Sequence, residues 1–333
     1  MLLNELRYAV RVMLRAPVFS ATVVLTVALA TVANTTIFSV VNSVLLKPLP
    51  FRDPSTLVQI AEKNDRLKLP IFSASVLNFV SWREQSKSFE ELAGVGFGNY
   101  TLSGSGEAEQ FSGNAISPSL MRILGILPLA GRGFTDEEEK PGGASVAMIS
   151  QGLWKRRFGS EPGLIGRTIT VNGAPTTVVG IAPPGMKLLS GGDIYTPLII
   201  NPAKEIRLSH TIQVFGRLKK GVTQQQAQAE MDTVSAAMGQ QYPEIKDWGI
   251  HLVSMFDSFI GPELKTRLLL LFWAVILVQL VACANIANLL LARSGARQNE
   301  MAIRTAIGAS RMQLVRQMLL ESVMLSLAGG TAG

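Results

Sequence analysis

"LLLLFWAVILVQLVACANIANLLL", residues 268–291, contains no charged side chain and lies between Arg267 and Arg293. A helix needs about 20 apolar residues to cross the hydrocarbon core of a bilayer, so this stretch is long enough to span one. Residues 18–46 form a second uncharged stretch, which ends just before Lys47. We therefore predict a membrane protein with α-helical transmembrane spans at 18–46 and 268–291.

The distribution of basic residues indicates on which side of the membrane each segment lies. The chain has a formal net charge of +7. The excess lies in residues 1–17 and 292–317, while the charges of residues 47–267 nearly cancel. Because cytoplasmic segments next to spans are enriched in Lys and Arg, we predict a cytoplasmic amphipathic helix at 1–17, a large extracytoplasmic domain at 47–267 and a cytoplasmic segment at 292–317. A nucleic-acid partner is not expected, because a basic patch would then lie on the folded domain.

Two features of the apolar stretches leave alternatives open. Ala28–Ala30 resembles a signal-peptidase site, but the apolar stretch continues to Leu46, which a signal peptide does not need. Residues 318–333 become apolar again, and we interpret them as the start of a third, incomplete transmembrane helix. The single cysteine, Cys283, lies in the second span, so we expect no disulfide in the outer domain.

The residues between the spans have the alternating strand and helix patterns of an α+β domain. The clearest pattern is at 167–185, where two alternating stretches flank Asn172-Gly173, a pair typical of a type I′ hairpin turn. Thr223 and Gln226 have the spacing of a capping box at the start of a helix. The inner face of that helix is predicted to carry Ala227, Met231, Val234 and Met238.

The order of these patterns predicts two lobes in the outer domain. Residues 52–125 and 201–262 would form an α/β lobe next to the membrane. Residues 126–200, which are rich in strand patterns, would form a second lobe inserted between its two halves.

The sequence contains no recognisable catalytic set. His210 and His251 lie in predicted strands, and we interpret them as ordinary sheet residues. The acidic run at 135–140 is interpreted as the first turn of a solvated helix rather than a cation site. There is no G-x-x-x-x-G-K-[ST] phosphate loop and no G-x-S-x-G nucleophile elbow. We therefore predict no enzyme activity and no cofactor in this chain.

Polar side chains recur along both spans. Thr31, Thr35, Ser39 and Ser43 follow one another at every fourth position of the first span. In lipid, amides and hydroxyls bind to partners on neighbouring helices, which favours a packed bundle over two lone anchors with tolerated small residues. The amides predicted to make interhelical contacts are Asn34, Asn42, Gln279, Asn285 and Asn288.

Residues 293–307 have the pattern of a short helix with a charged stripe and an alanine-rich face. Glu300 and Arg304 are four residues apart, which suits an ion pair on a helix. Gly308 is a favourable C-cap and Ser310 a favourable N-cap, so a second helix is expected to follow a glycine elbow. The alternative is a surface helix that only holds this loop to anionic lipid.

Three longer motifs carry a resemblance to a known family. They are "GRTITVNGAPTTVVGIAPPG" at 166–185, "FGRLKKGVTQQQAQAEMDTV" at 215–234 and "LVACANIANLLLARSGARQNEMAIRTAIGASRMQLVRQMLLES" at 280–322. With these motifs the chain resembles the FtsX/MacB-type ABC transporter permeases, and most closely the acidobacterial duplicated permease group. The resemblance covers nearly the whole chain.

The resemblance implies a multi-pass protein of the inner membrane with a MacB-like periplasmic core domain between its first two spans. It also implies a separate cytoplasmic ABC ATPase subunit as partner, together with a second permease half or a homodimer. The residues implied to couple the permease to the ATPase lie in the cytoplasmic segment. They are Asn299, Glu300, Met301, Ala302, Ile303, Arg304, Ala306 and Gly308.

We therefore expect a permease subunit, or a fragment of one, that transmits ATP-driven motion to a periplasmic domain for efflux or another envelope process. A two-span sensor with an extracytoplasmic ligand-binding domain is the alternative. A membrane-anchored ectoenzyme is disfavoured by the missing catalytic set. No residue of the outer domain identifies a substrate.

Overall fold

The computed structural model describes residues 11, 14, 16–46, 49–104, 107–296 and 311–332. The chain divides into two units, one made of Met1–Lys47 with Ile260–Gly333 and the other of Pro48–Phe259. The second unit is the outer domain, and it ends at Phe259 rather than at residue 267 as predicted. The backbone explains this boundary, because Gly261 has a φ of 67° inside an otherwise helical stretch.

The described helices include the long membrane candidates and several short helices of the outer domain. In chain order they are α1 Pro17–Val41, α2 Val76–Gln85, α3 Ser119–Leu124, α4 Gln151–Phe158, α5 Pro184–Ser190, α6 Gln224–Gln241, α7 Met255–Ala296 and α8 Arg311–Ala332. A π-helical turn, Asn42–Leu46, continues α1.

A twelve-stranded mixed sheet forms the centre of the described outer domain. Its strands are β1 Leu57–Asn64, β2 Leu69–Phe72, β3 Ala74–Ser75, β4 Phe89–Ser103, β5 Glu109–Ile116, β6 Ala130–Gly131, β7 Val146–Ser150, β8 Thr168–Val171, β9 Ala174–Ala182, β10 Ile194–Pro197, β11 His210–Leu218 and β12 Gly249–Ser254.

The strand order shows how the two predicted lobes are related. It is β12-β1-β11-β4-β5-β10-β7-β9-β6, with β2 added to β1, β3 to β11, and β8 to β4 and β9. The strands from residues 130–197 thus lie at one end of the sheet and the remaining strands at the other. Parallel pairing of β10 with β5 and antiparallel pairing of β8 with β4 join the two groups, so both predicted lobes share one sheet.

The two faces of the sheet are buried by different elements. Val214 packs in a cluster with Trp82 of α2 and Met231 of α6. Phe215, the next residue of β11, packs in a second cluster with Leu120 of α3. Successive side chains of a strand point to opposite faces, so β11 is buried on both sides. The predicted inner face of α6 is confirmed, because all four of its residues are buried.

Polar side chains cap the first turns of three outer-domain helices. Ser75 Oγ accepts a hydrogen bond from Asn78 N at 3.1 Å, and Ser150 Oγ accepts one from Leu153 N at 3.0 Å. Thr223 and Gln226 form the predicted capping box. These caps satisfy backbone N–H groups that have no partner within the first helical turn.

The predicted hairpin at 167–185 is present as β8 and β9. Asn172 and Gly173 both have positive φ, 50° and 78°, as a type I′ turn requires. Asn172 also accepts a hydrogen bond from Thr101 N through its Oδ1 at 2.7 Å, which holds the turn against β4.

The acidic run at 135–140 departs from the prediction. It forms turns rather than a helix, and Glu138 is buried instead of solvated. Glu138 accepts hydrogen bonds from Arg132 Nη2 at 2.7 Å and from Thr135 N at 2.9 Å. Burial raises the pKa of Glu138, but the hydrogen bonds from Arg132 and Thr135 lower it by more than burial raises it. The pKa of Glu138 is therefore below its ordinary value. Arg132 and the backbone of Thr135 therefore replace the water that the helix interpretation assumed.

Two described helices are long and apolar enough to cross a membrane. Their candidate spans are Pro17–Leu45 and Glu263–Leu289, close to the predicted 18–46 and 268–291. Ser322–Ala332 is a shorter apolar helical stretch within α8. The chain continues through Ala28–Ala30 in helical conformation.

Candidate functional site

Both spans are joined to neighbouring strands of the outer domain. β1 is the first strand after α1, and β12 leads directly into α7. These two strands pair in antiparallel register, with Val58 opposite Ser254 and Lys63 opposite Gly249. The first strand after α1 and the last strand before α7 are therefore neighbours in the sheet.

A buried arginine fixes the segment that leads into β1. Arg217 of β11 is only 2% exposed. Its Nε donates to Ile123 O at 2.7 Å, and its Nη1 donates to Thr56 Oγ1 at 2.6 Å and to Asp53 O at 3.3 Å. Its Nη2 donates to Arg52 O and Ile123 O. Arg217 thereby attaches residues 52–56 to the centre of the sheet and to the end of α3.

Small residues mark the contact between helices α1 and α8. A side chain at Gly329 of α8 would begin 2.5 Å from Val27 Cβ of α1, so only glycine allows this approach. Ala30 of α1 and Leu325 of α8 are buried. Close packing through small residues is a common way for helices to associate in lipid.

The structure brings together two of the five predicted interhelical amides. Asn34 Nδ2 of α1 donates to Gln279 Oε1 of α7 at 3.3 Å, and both side chains are half-buried. Asn42, Asn285 and Asn288 are exposed on the described helices. Their interhelical role stays a prediction.

Replacing Asn34 and Gln279 by leucine, singly and together, tests whether this hydrogen bond stabilises the helix pair. Each single change is expected to destabilise the full chain by about 1 kcal/mol, with a coupling energy of about 0.6 kcal/mol in the double-mutant cycle. Unfolding in mixed micelles with increasing SDS measures both. Asn285→Leu is the matched control, since its amide is exposed. Strictly additive single changes would show that the two amides do not interact.

The predicted ATPase-coupling residues lie outside the residues that the structure describes. They belong to the segment 297–310, between the end of α7 at Ala296 and the start of α8 at Arg311. Their role stays a prediction.

A second buried charge site lies in the outer domain around Glu62 of β1. Glu62 is 1% exposed, and its Oε1 accepts hydrogen bonds from Ser75 N at 3.0 Å and Asn78 Nδ2 at 2.8 Å. His210 Nδ1 lies 2.8 Å from Glu62 Oε2 and 3.2 Å from Ser73 O. The His210 ring also stacks on Trp248, with 4.2 Å between ring centroids.

The Glu62 carboxylate determines the direction in which the pKa of His210 shifts. Burial lowers the pKa of His210, but the hydrogen bond and charge of Glu62 raise it by more, so the net shift is upward. The sequence interpretation of His210 as an ordinary sheet residue is therefore incomplete. It lies in β11 as predicted but forms a buried charge pair with a residue of β1.

A mixed-charge cleft of about 700 Å³ lies near the start of α3 and the acidic turns. Ion pairs occupy much of its wall: Arg83 binds Glu139 at 2.8 Å, and Arg122 binds Glu91 at 3.0 Å and Asp136 at 3.1 Å. Because these charges neutralise one another, the cleft has no clear preference for an anion or a cation. Among the described residues, no group of three or more His, Cys, Asp or Glu side chains is placed to hold a metal ion.

The fold and the spans define a class of protein: a membrane protein with a large extracytoplasmic α+β domain. Residues 20–234 match the MacB-like periplasmic core domain, and residues 272–333 match the FtsX-like permease C-terminal domain. The chain therefore belongs to the FtsX/MacB-like ABC transporter permeases. This confirms the family expected from the sequence motifs, while the acidobacterial subgroup stays a prediction.

Named relatives are similar over the same part of the chain. The macrolide export ATP-binding/permease protein MacB of Hahella chejuensis is 24% identical over 66% of this chain and 33% of its own length. MacB of Escherichia coli K12 is 23% identical over 67% of this chain and 34% of its own length. The chain thus spans about a third of the length of the curated relatives that it matches.

A solved structure is also similar to the outer domain. The periplasmic region of MacB from Actinobacillus actinomycetemcomitans is 15% identical, with a TM-score of 0.48. The similarity covers 66% of this chain and 98% of that structure.

Proposed function

We propose that this chain is a permease subunit of an ABC transporter of the MacB/FtsX type, which transmits motion between a cytoplasmic ATPase and its own periplasmic domain. The observation that carries the proposal is the attachment of both spans to the paired strands β1 and β12. Such a connection passes a displacement of the spans to the whole sheet. Efflux or another envelope process is the proposed outcome of that movement.

The proposed partners follow from family membership. Permeases of this family generally work with an ATPase and as dimers, so an ABC ATPase and a second permease half or copy are the partners proposed here. ATP hydrolysis is assigned to the ATPase subunit, and no cofactor is assigned to this chain. We place the chain in the inner membrane, with the outer domain in the periplasm.

A sensor with two spans remains the second candidate, because a stable extracytoplasmic domain between spans suits both functions. The match of residues 272–333 to the FtsX-like permease C-terminal domain favours the permease.

The charge pair Glu300 and Arg304 gives the test of ATPase coupling. The intact chain, purified from its native membrane after cross-linking, is expected to carry an ABC ATPase that mass spectrometry identifies by its phosphate-loop peptides. The double reversal Glu300→Lys/Arg304→Glu is expected to lower its recovery about tenfold, which corresponds to about 1.4 kcal/mol of binding free energy. Loss of vanadate-sensitive ATP hydrolysis from the preparation should accompany it.

The control reverses a pair of opposite, exposed charges in the outer domain that lie two residues apart. Glu244→Lys/Lys246→Glu leaves the cytoplasmic segment unchanged and is expected to retain the ATPase. The proposal is wrong if the intact chain recovers no ABC ATPase, or if both double variants recover it equally well.

A further inference from the structure

An exposed apolar groove of about 530 Å³ lies on the outer domain. Residues of three chain segments line it: Pro50, then Ile126 and Leu127 of the loop 126–129, and Pro183, Pro184 and Gly185. None of these residues is charged, and Leu127 is 82% exposed. Contiguous exposed apolar surface, unlike a single exposed leucine, can mark a site of protein or membrane contact.

The groove lies at the end of the domain where the chain arrives from the first span. Arg52 N donates to Leu124 O at 3.0 Å, which places the start of the loop 126–129 beside the segment that leads into β1. Leu49, Ile126 and Phe259 pack against the same apolar cluster. The segments that enter and leave the outer domain therefore contact the same apolar cluster as Ile126 of the groove.

The lengths of these connections limit the distance from the groove to the bilayer. The first candidate span ends at Leu45 and the second begins at Glu263. Pro50 of the groove follows Leu45 by five residues, which extend over at most about 18 Å. Phe259 precedes Glu263 by four residues, or at most about 14 Å. The headgroup layer adds roughly 5–8 Å outside the hydrocarbon core, so the groove cannot be far from the lipid.

We propose that this groove is a lipid-binding surface that rests on the outer leaflet, with Leu127 inserted among the acyl chains. Uncharged walls suit acyl chains. The exposed cations Arg52 and Lys187 adjoin the groove in sequence, and they pair with Glu90 and Asp193. Leu127 and Leu129 then have a partner that the protein itself does not provide. The surface would hold the domain close to the membrane while the spans move.

Spin labelling of the full chain in phosphatidylethanolamine/phosphatidylglycerol vesicles tests the proposal. Cys283 is the only cysteine, so Cys283→Ala gives a background in which one label is attached at Leu127→Cys. Oxygen concentrates in lipid, whereas a nickel chelate stays in water. A label at position 127 is expected to relax more with oxygen than with the nickel chelate, and a label at Leu129→Cys should behave in the same way.

Ile206→Cys is the matched control, because Ile206 is an apolar residue that is 68% exposed. Ile206 precedes His210, the first residue of β11. Arg217, near the other end of β11, pairs with Leu57 and so lies on the side of the groove, which places Ile206 at the opposite ends of the strands. Its label should relax more with the nickel chelate. A water-like label at 127 would overturn the proposal. So would a label at 127 that is shielded from both reagents and broadened by a neighbouring label, because a second copy would then cover the groove.

Discussion

Replacement of Arg217 by methionine is expected to destabilise the outer domain by about 4 kcal/mol, the largest effect of any single change considered for this chain. Arg217 is buried and donates hydrogen bonds to three backbone carbonyls, those of Arg52, Asp53 and Ile123. Methionine fills a similar volume but donates nothing. The three carbonyls would lose their charged donor in a site that water does not reach.

The backbone that Arg217 holds cannot easily rearrange to find other hydrogen-bond donors. Asp53 has a φ of 40°, a left-handed conformation that is uncommon for residues other than glycine. Burial lowers the pKa of Arg217, but the ordinary pKa of arginine is so high that the side chain stays charged at every physiological pH. A charged donor to several carbonyls at once holds this backbone better than a neutral side chain, because such hydrogen bonds are the stronger kind.

Urea unfolding of the full chain in detergent micelles, followed by tryptophan fluorescence, measures the effect. Arg66→Met is the control, because Arg66 is exposed and its contact with Asp247 is 3.4 Å long, so less than about 0.5 kcal/mol is expected. Arg217→Lys should fall between wild type and Arg217→Met, since lysine keeps the charge but not the planar set of donors. If Arg217→Met unfolds at the same urea concentration as Arg66→Met, the proposed role of Arg217 is wrong.

Local patterns in the sequence were sufficient for much of the fold. The hairpin around Asn172-Gly173, the capping box at Thr223 and the buried face of α6 all depend on residues within a few positions of one another. Their structures follow from backbone preference and periodicity, which a single sequence displays.

The two buried charge sites were not predictable in this way. Arg217 contacts residues 94 and 165 positions away. Glu62 and His210 are also far apart in sequence, and they meet because β1 and β11 pair in the sheet. In the sequence alone, the pattern around each of these residues is the same as around any charged residue in a strand. The turn at 135–140 was missed for a different reason: the partners of Glu138 are close to it in sequence, but no known spacing pattern links Arg132 to Glu138.

The Glu62–His210 pair is expected to make the stability of the outer domain depend on pH. The folded state raises the pKa of His210 above its ordinary value near 6.5. A raised folded pKa means that the folded domain binds the proton more tightly than the unfolded chain does. The stabilisation is therefore fully present below about pH 6.5 and is lost as the pH rises through the folded pKa of His210.

Replacing Glu62 by leucine is expected to destabilise the domain by about 3 kcal/mol at pH 6, because it leaves Ser75 N, Asn78 and a protonated His210 buried without their acceptor. Glu62→Gln keeps an acceptor for Ser75 N and removes the charge, so it should cost about 1 kcal/mol and flatten the pH dependence. Urea unfolding of the full chain between pH 5.5 and 8.5 compares the two variants with wild type. A wild-type domain that becomes more stable as the pH rises through this range, or a Glu62→Gln variant that keeps the wild-type pH dependence, would show that Glu62 does not control the proton on His210.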